Sequence, residues 1–126
     1  MLDEPFRRSV SRLRGLRVLV VEDSWHIATT VESLLKEVGM VIIGAAASAH
    51  DAERLAHERA PNVAVVDIKL RDGTAYGVID CLHDLGVGVV VVTGFTTLST
   101  PLVKAAAILR KPFNGDELLA ALLRAA

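Results

Sequence analysis

Acidic side chains follow two of the apolar runs in this 126-residue chain. The run 63–66 leads into Asp67, and the run 16–21 leads into Glu22 and Asp23. If these three carboxylates meet, their repulsion either raises a pKa or is relieved by a bound cation. An oxygen-only ligand set suits Mg²⁺, or Mn²⁺ in its place, and the His and Cys cluster that zinc prefers is absent from these motifs.

A hydroxyl and an ammonium group follow two further apolar runs. Thr93 comes after the run 89–92, and Lys111 comes shortly after the run 106–109. Aspartate is a covalent nucleophile toward phosphoryl groups, and phosphoryl transfer depends mainly on positioning and charge neutralisation. The sequence therefore predicts a site in which Asp67 reacts with a phosphoryl group, Lys111 balances its charge and Thr93 donates a hydrogen bond to it.

Alternating strands and helices would bring these residues together. We predict strands at 16–21, 40–46, 62–67, 89–92 and 106–109, with helices at 24–38, 48–60, 74–85 and from 114 onward. Ser24 can cap the first of these helices, Asn114 and Glu117 can cap the last, and a turn is expected at 71–73. Pro101 interrupts the segment 95–105, where a fourth helix would be short. The predicted fold class is α/β, a flavodoxin-like doubly wound five-stranded parallel sheet in strand order 2-1-3-4-5 with helices on both faces. The carboxyl ends of its strands then share one edge.

Composition and charge restrict the function classes. The net charge of −1 gives no reason to expect direct nucleic-acid binding. No apolar run approaches the length of roughly 20 residues that spans a bilayer. Cys81 is the only cysteine, which excludes an internal disulfide and fits a reducing compartment. We expect a cytoplasmic domain over 16–126, preceded by a flexible, solvated extension at 1–15 that carries four arginines with little periodicity.

Four short motifs resemble the receiver (response regulator) domains of bacterial two-component systems. They are Val-Leu-Val-Val-Glu-Asp-Ser (18–24), Val-Val-Asp-Ile-Lys-Leu (65–70), Thr-Gly (93–94) and Lys-Pro-Phe (111–113). The resemblance covers about residues 16–126. It implies that Asp67 is the phosphoacceptor, and that the phosphoryl group comes from a phosphohistidine on a sensor histidine kinase or phosphotransfer protein.

The same resemblance implies the remaining site roles. Glu22 and Asp23 look like the Mg²⁺ carboxylates beside Asp67, with the backbone carbonyl of Lys69 as a further ligand. Lys111 and Thr93 match the lysine and the switch hydroxyl of the family.

Two positions depart from the usual receiver pattern. Ile108 stands where receivers carry an aromatic residue that changes rotamer on phosphorylation, and the interval between Thr93 and Lys111 is short. The run Thr93, Gly94 and Phe95 resembles an atypical alphaproteobacterial subgroup that has a reduced fourth helix and typically no attached output domain. We therefore expect a stand-alone receiver whose switch involves residues 93–95 and position 108, and whose segment 94–105 becomes ordered around the phosphorylated site.

The alternatives to a receiver domain are a phosphoaspartate hydrolase, a dinucleotide-binding module and a phosphorylation-independent scaffold. A phosphoaspartate hydrolase needs a second Asp two positions after its nucleophile, where this chain has Lys69. A dinucleotide-binding module needs a Gly-rich turn after the first strand, where this chain has acidic residues. A phosphorylation-independent pseudo-receiver scaffold stays open as the alternative. The leading hypothesis is a signalling domain that catalyses only its own phosphotransfer and dephosphorylation and acts through an unidentified downstream protein partner, a phosphorelay or a phosphate sink.

Overall fold

The structure, a computed structural model, describes residues 3–94 and 104–126. Its helices are α1 (Glu4–Val10), α2 (Trp25–Glu37), α3 (Ala49–Arg59), α4 (Tyr76–Asp84) and α5 (Gly115–Ala125), and a 3₁₀ turn at Ser11–Leu13 follows α1. Its strands are β1 (Arg17–Val21), β2 (Val41–Ala46), β3 (Val63–Asp67), β4 (Lys69–Leu70), β5 (Gly73–Thr74), β6 (Gly88–Thr93) and β7 (Ala107–Arg110). None of these helices is long and apolar enough to cross a membrane.

Five parallel strands form one sheet in the order β2-β1-β3-β6-β7. Because β4 and β5 form a separate antiparallel pair, this is the predicted order 2-1-3-4-5, and the predicted fold class is confirmed. One buried cluster joins α1, α2 and α5 to the sheet, and a second joins α3 and α4 to its other face. Val21 pairs with Val66 and Asp67 pairs with Val92, so β1, β3 and β6 end at one edge.

Local sequence accounts for where the helices begin and end. The Ser24 side chain accepts a hydrogen bond from the Ile27 N–H at the start of α2, as its position predicted. Gly39, with φ +87°, follows the end of that helix, where a left-handed residue closes the last turn. At the start of α5, Asn114 and Glu117 form the predicted cap, and the two residues bond to each other reciprocally as a capping box.

The hairpin of β4 and β5 was not predicted. We expected a turn at 71–73 and a helix from Thr74, whereas Lys69 pairs with Thr74, Leu70 pairs with Gly73, and α4 begins at Tyr76. Two-residue strands are too short to show an alternating apolar pattern, so periodicity could not reveal them. The buried Leu70 side chain anchors the hairpin, and Gly73 adopts φ +134° at its turn, a conformation open to glycine.

The N-terminal segment differs from the expected solvated extension. Residues 4–10 form α1, capped by Asp3, and Val10 and Leu13 are buried in the cluster that includes α5. Phe6, Val10 and Leu13 have the spacing of one helical face, a pattern that the neighbouring arginines obscured. The division into 1–15 and 16–126 stays a prediction. The predicted short fourth helix and Phe95 lie outside the described residues, as does most of the segment 94–105.

Candidate functional site

The three predicted carboxylates meet at the carboxyl edge of the sheet. Glu22 and Asp23 directly follow β1, and Asp67 is the last residue of the neighbouring strand β3. Carboxylate oxygens of all three residues lie within 4.8 Å of one another. Glu22 and Asp67 are only 8% and 6% exposed, whereas Asp23 is exposed. Parallel pairing of β1 with β3 therefore creates the acidic cluster that the sequence predicted.

Lys111 reaches this cluster from the end of β7. Its Nζ lies 2.8 Å from Asp67 Oδ2 and 3.6 Å from Glu22 Oε2. Its backbone N–H donates to the carbonyl of Thr93 at 2.8 Å, which holds the chain after β7 against the end of β6. The predicted lysine is thus an ion-pair partner of the predicted nucleophile.

Burial and crowding shift two pKa values in this pocket. The pKa of Glu22 is raised to about 7, first by burial, then by a hydrogen bond with Asp67 and by the charge of that residue. Burial disfavours the Lys111 ammonium, yet its hydrogen bond to Asp67 and the nearby negative charges raise the pKa of Lys111 overall. One ammonium group cannot balance three carboxylates, so the pocket retains the excess negative charge that a divalent cation would neutralise.

Both oxygens of Asp67 have donors. Lys111 donates to Oδ2, and the backbone N–H of Lys69 donates to Oδ1 at 3.2 Å. Lys69 also lines the cavity of about 240 Å³ into which the acidic cluster opens. The predicted metal-ligand role of the Lys69 carbonyl stays a prediction, whereas its N–H is a contact that the sequence did not indicate.

Of the predicted switch residues that the structure describes, only some lie at the cavity that contains Asp67. Thr93 is 2% exposed, and together with Gly94 it lines the same cavity as Asp67. Ile108 is 47% exposed in the middle of β7 and does not line that cavity. Phe95 lies beyond the described part of this region. The structure therefore brings Thr93 and Gly94 into the site and leaves Ile108 outside it.

Sequence reasoning missed several features around the pocket. The Ser24 N–H donates to Glu22 Oε1 at 3.1 Å, so the capping residue of α2 also holds a site carboxylate. Trp25 is 73% exposed and lines a cleft beside Glu22 and Asp23. On the other side of Lys111, an apolar cavity of about 520 Å³ is lined by residues that include His26, Ile27, Thr30, Val31, Pro112 and Phe113. Nothing in the sequence pattern distinguishes these side chains from ordinary helix and loop residues.

Comparison with known proteins relates this arrangement to one family. The family described as "Response regulator receiver domain" matches residues 18–123. A search of curated proteins found no match. Among solved structures, the response regulator PhyR from Brucella abortus is 28% identical with a TM-score of 0.79, over 94% of this chain and 50% of that one.

Structures of isolated receiver domains are similar to this chain over most of their length. The PhyR receiver domain of Erythrobacter litoralis is 25% identical with a TM-score of 0.76, over 90% of this chain and 92% of that one. The receiver domain of a putative Luxo repressor from Vibrio parahaemolyticus is 27% identical with a TM-score of 0.77, over 87% of this chain and 90% of that one. The chain spans about half the length of the longer PhyR chains that it matches, such as the one from Brucella abortus.

Proposed function

Because this chain belongs to the family of response regulator receiver domains, which are signalling domains, we propose that it accepts a phosphoryl group on Asp67. One observation carries the proposal: the Asp67 carboxylate ends β3 with a backbone N–H on one oxygen and the Lys111 ammonium on the other. Glu22 and Asp23 lie beside it. An aspartate held only as a helix cap or turn residue needs neither a lysine partner nor two acidic neighbours.

The proposed step is a transfer from a phosphohistidine. One Asp67 carboxylate oxygen forms a bond to phosphorus while the phosphorus–nitrogen bond breaks, and the imidazole leaves with the electron pair and takes up a proton. Lys111 turns from the carboxylate toward the incoming phosphoryl oxygens, whose charge it balances. The Thr93 hydroxyl donates to a phosphoryl oxygen once the group is in place. The same pocket then admits water for slow dephosphorylation.

A divalent cation fits the donor set. Glu22, Asp23 and Asp67 would hold it through carboxylate oxygens, with the Lys69 carbonyl as a further ligand, which is the hard-oxygen environment of Mg²⁺ or Mn²⁺. When bound, the ion supplies positive charge beside the transferred phosphoryl group. The raised pKa of Glu22 is consistent with a pocket whose carboxylates lack sufficient countercharge.

The proposed function also requires protein partners, both as phosphoryl donor and as receiver of the signal. The phosphoryl donor is a sensor histidine kinase or a phosphotransfer protein, and the phosphorylated domain signals by contact with another protein, through a phosphorelay, or as a phosphate sink. The matched PhyR structures are named as a response regulator and a stress response regulator, which supports a signalling pathway without specifying it. Thr93 and Gly94 at the cavity are the residues best placed to transmit the modification, whereas Ile108 lies outside it.

Phosphate labelling tests the proposal. We expect wild-type protein, incubated with Mg²⁺ and either acetyl phosphate or a phosphorylated histidine kinase, to acquire one phosphoryl group that hydroxylamine removes, as an acyl phosphate requires. Asp67→Asn keeps the size of the side chain, removes the nucleophilic carboxylate and should remain unlabelled in intact-mass spectra.

A matched control shows whether labelling depends on Asp67 itself, rather than on the loss of any one carboxylate. Asp84→Asn alters an exposed carboxylate at the end of α4 and should label like the wild type. Wild-type protein that remains unlabelled by several competent donors would instead favour the phosphorylation-independent scaffold. Labelling that persists in Asp67→Asn would place the phosphoacceptor elsewhere.

A further inference from the structure

The hairpin of β4 and β5 begins two residues after Asp67 and connects the proposed phosphoacceptor to a distant helix. Lys69 pairs with Thr74 at the open end of the hairpin, and Leu70 pairs with Gly73 next to its turn. The Leu70 side chain is buried in the cluster between the sheet and helices α3 and α4. Packing of Leu70 therefore holds the β4 strand of the hairpin, whereas the turn residues beyond it are exposed.

Asp72 attaches this turn to the N-terminus of α3. Its Oδ1 accepts a hydrogen bond of 2.9 Å from the N–H of Ala49, the first residue of α3. This bond is the largest cause of a lowered pKa for Asp72, and a carboxylate at a helix N-terminus also meets the favourable end of the helix dipole. Ser48 accepts from a different amide of the same helix, that of Asp51, at 3.2 Å. Helix α3 thus has one cap from its own chain segment and one from the hairpin.

The hairpin also determines the position of one donor to Asp67. The Lys69 N–H, which donates to Asp67 Oδ1, is a backbone group and moves only with β4. The donor to Oδ2 is the end of the long Lys111 side chain, which can follow the carboxylate when it turns. Of the two contacts, the hairpin amide is consequently the one that fixes the orientation of the carboxylate plane.

We infer that Asp72 is a positioning residue for phosphoryl transfer: by tying the hairpin turn to the N-terminus of α3, it holds the Lys69 N–H on Asp67 and keeps the carboxylate aligned for attack. This inference rests on the proposed function of Asp67. Asp72 itself touches none of the reacting groups, so its effect passes through the hairpin backbone.

Three variants test the inference by their rates of phosphorylation with acetyl phosphate at saturating Mg²⁺. Asp72→Ala removes the acceptor and should lower the maximal rate about five- to tenfold, with the half-saturating donor concentration unchanged. Asp72→Asn retains an acceptor oxygen and should restore most of the rate. Ser48→Ala removes the other cap of α3 without touching the hairpin, and should leave the rate within about twofold of wild type.

A second measurement does not depend on phosphorylation. In the unmodified protein, the amide proton of Lys69 should exchange with solvent about tenfold faster in Asp72→Ala than in wild type or Ser48→Ala, because the hairpin that carries this amide is no longer held in place. Equal rates of phosphorylation and of exchange in Asp72→Ala and wild type would overturn the inference, as would an equal loss in Ser48→Ala. If wild-type protein is never labelled, the proposed function fails, and the exchange of the Lys69 amide alone decides whether the hairpin is held by Asp72.

Discussion

The pocket should make the metal-free protein less stable as pH rises, and Glu22→Gln should remove that loss. The pKa of Glu22 is raised in the folded protein from its ordinary value of 4.5 to about 7, mainly because the carboxylate is buried next to Asp67. A group with a raised pKa stabilises the fold fully below about pH 4.5, and its contribution is lost as pH rises through about 7. Above that range Glu22 is ionised in both states, but only in the folded state is its charge buried next to Asp67.

The magnitude follows from the difference between the two pKa values. The interval from 4.5 to about 7 is about 2.5. At about 1.36 kcal/mol for each pH unit, this interval sets a ceiling of about 3.4 kcal/mol. The pocket opens to solvent, which screens the interaction, so we expect about 2 kcal/mol of unfolding free energy. Gln cannot ionise and has nearly the same shape, so Glu22→Gln should become the more stable protein by about this amount at about pH 8.

Urea unfolding followed by circular dichroism measures the effect. Both proteins are unfolded in the presence of a chelator at several pH values between about 4 and 8, and the difference between their unfolding free energies isolates Glu22 from other titrating groups. Glu37→Gln, at the exposed end of α2, controls for the change in net charge. A difference between wild type and Glu22→Gln that stays constant across this pH range would refute the reasoning.

Three further substitutions test the pocket and the packing around it. Lys111→Met leaves buried carboxylates without their ammonium partner and should lower the unfolding free energy in urea at neutral pH by about 1–3 kcal/mol, less so in acid. Leu13→Ala should cost about 2–4 kcal/mol in the same assay because this side chain is fully buried. Its control Arg12→Ala, on the exposed side, should change the unfolding free energy by less than about 0.5 kcal/mol. Gly88→Ala drives its new Cβ into a backbone carbonyl oxygen near the end of α5 and should lower the midpoint of thermal unfolding. Gly77→Ala, whose Cβ would approach the end of a glutamate side chain at 4.0 Å, should not.

The parallel sheet and its acidic edge were predictable because they depend on features that extend along the sequence. A buried strand such as β3 appears as a continuous apolar run, and in a parallel sheet each such run delivers its last residue to one edge. The meeting of Glu22, Asp23 and Asp67 follows from that rule and from strand order. Capping residues such as Ser24 and Asn114 were equally visible, because the hydrogen bonds that they make are local.

Features that depend on contacts between distant segments were not predictable. The hairpin turn and the N-terminus of α3 approach each other only in the folded chain, so Asp72 appeared to be an ordinary turn residue. The helix α1 was missed because the arginines between its apolar positions suggested a solvated segment, and its packing on α5 is a contact between distant parts of the chain. Repulsion among the three carboxylates was predicted to raise a pKa, but that this group is Glu22 depends mainly on its burial, which no local pattern records.

The exposed Trp25 gives the protein a built-in optical reporter. It is the only tryptophan in the chain, and it lines the cleft beside Glu22 and Asp23. All intrinsic tryptophan emission therefore originates next to the proposed site. An emission titration with Mg²⁺, or a time course with a phosphoryl donor, should follow events there without an attached dye, and the signal needs no correction for a second indole elsewhere in the chain.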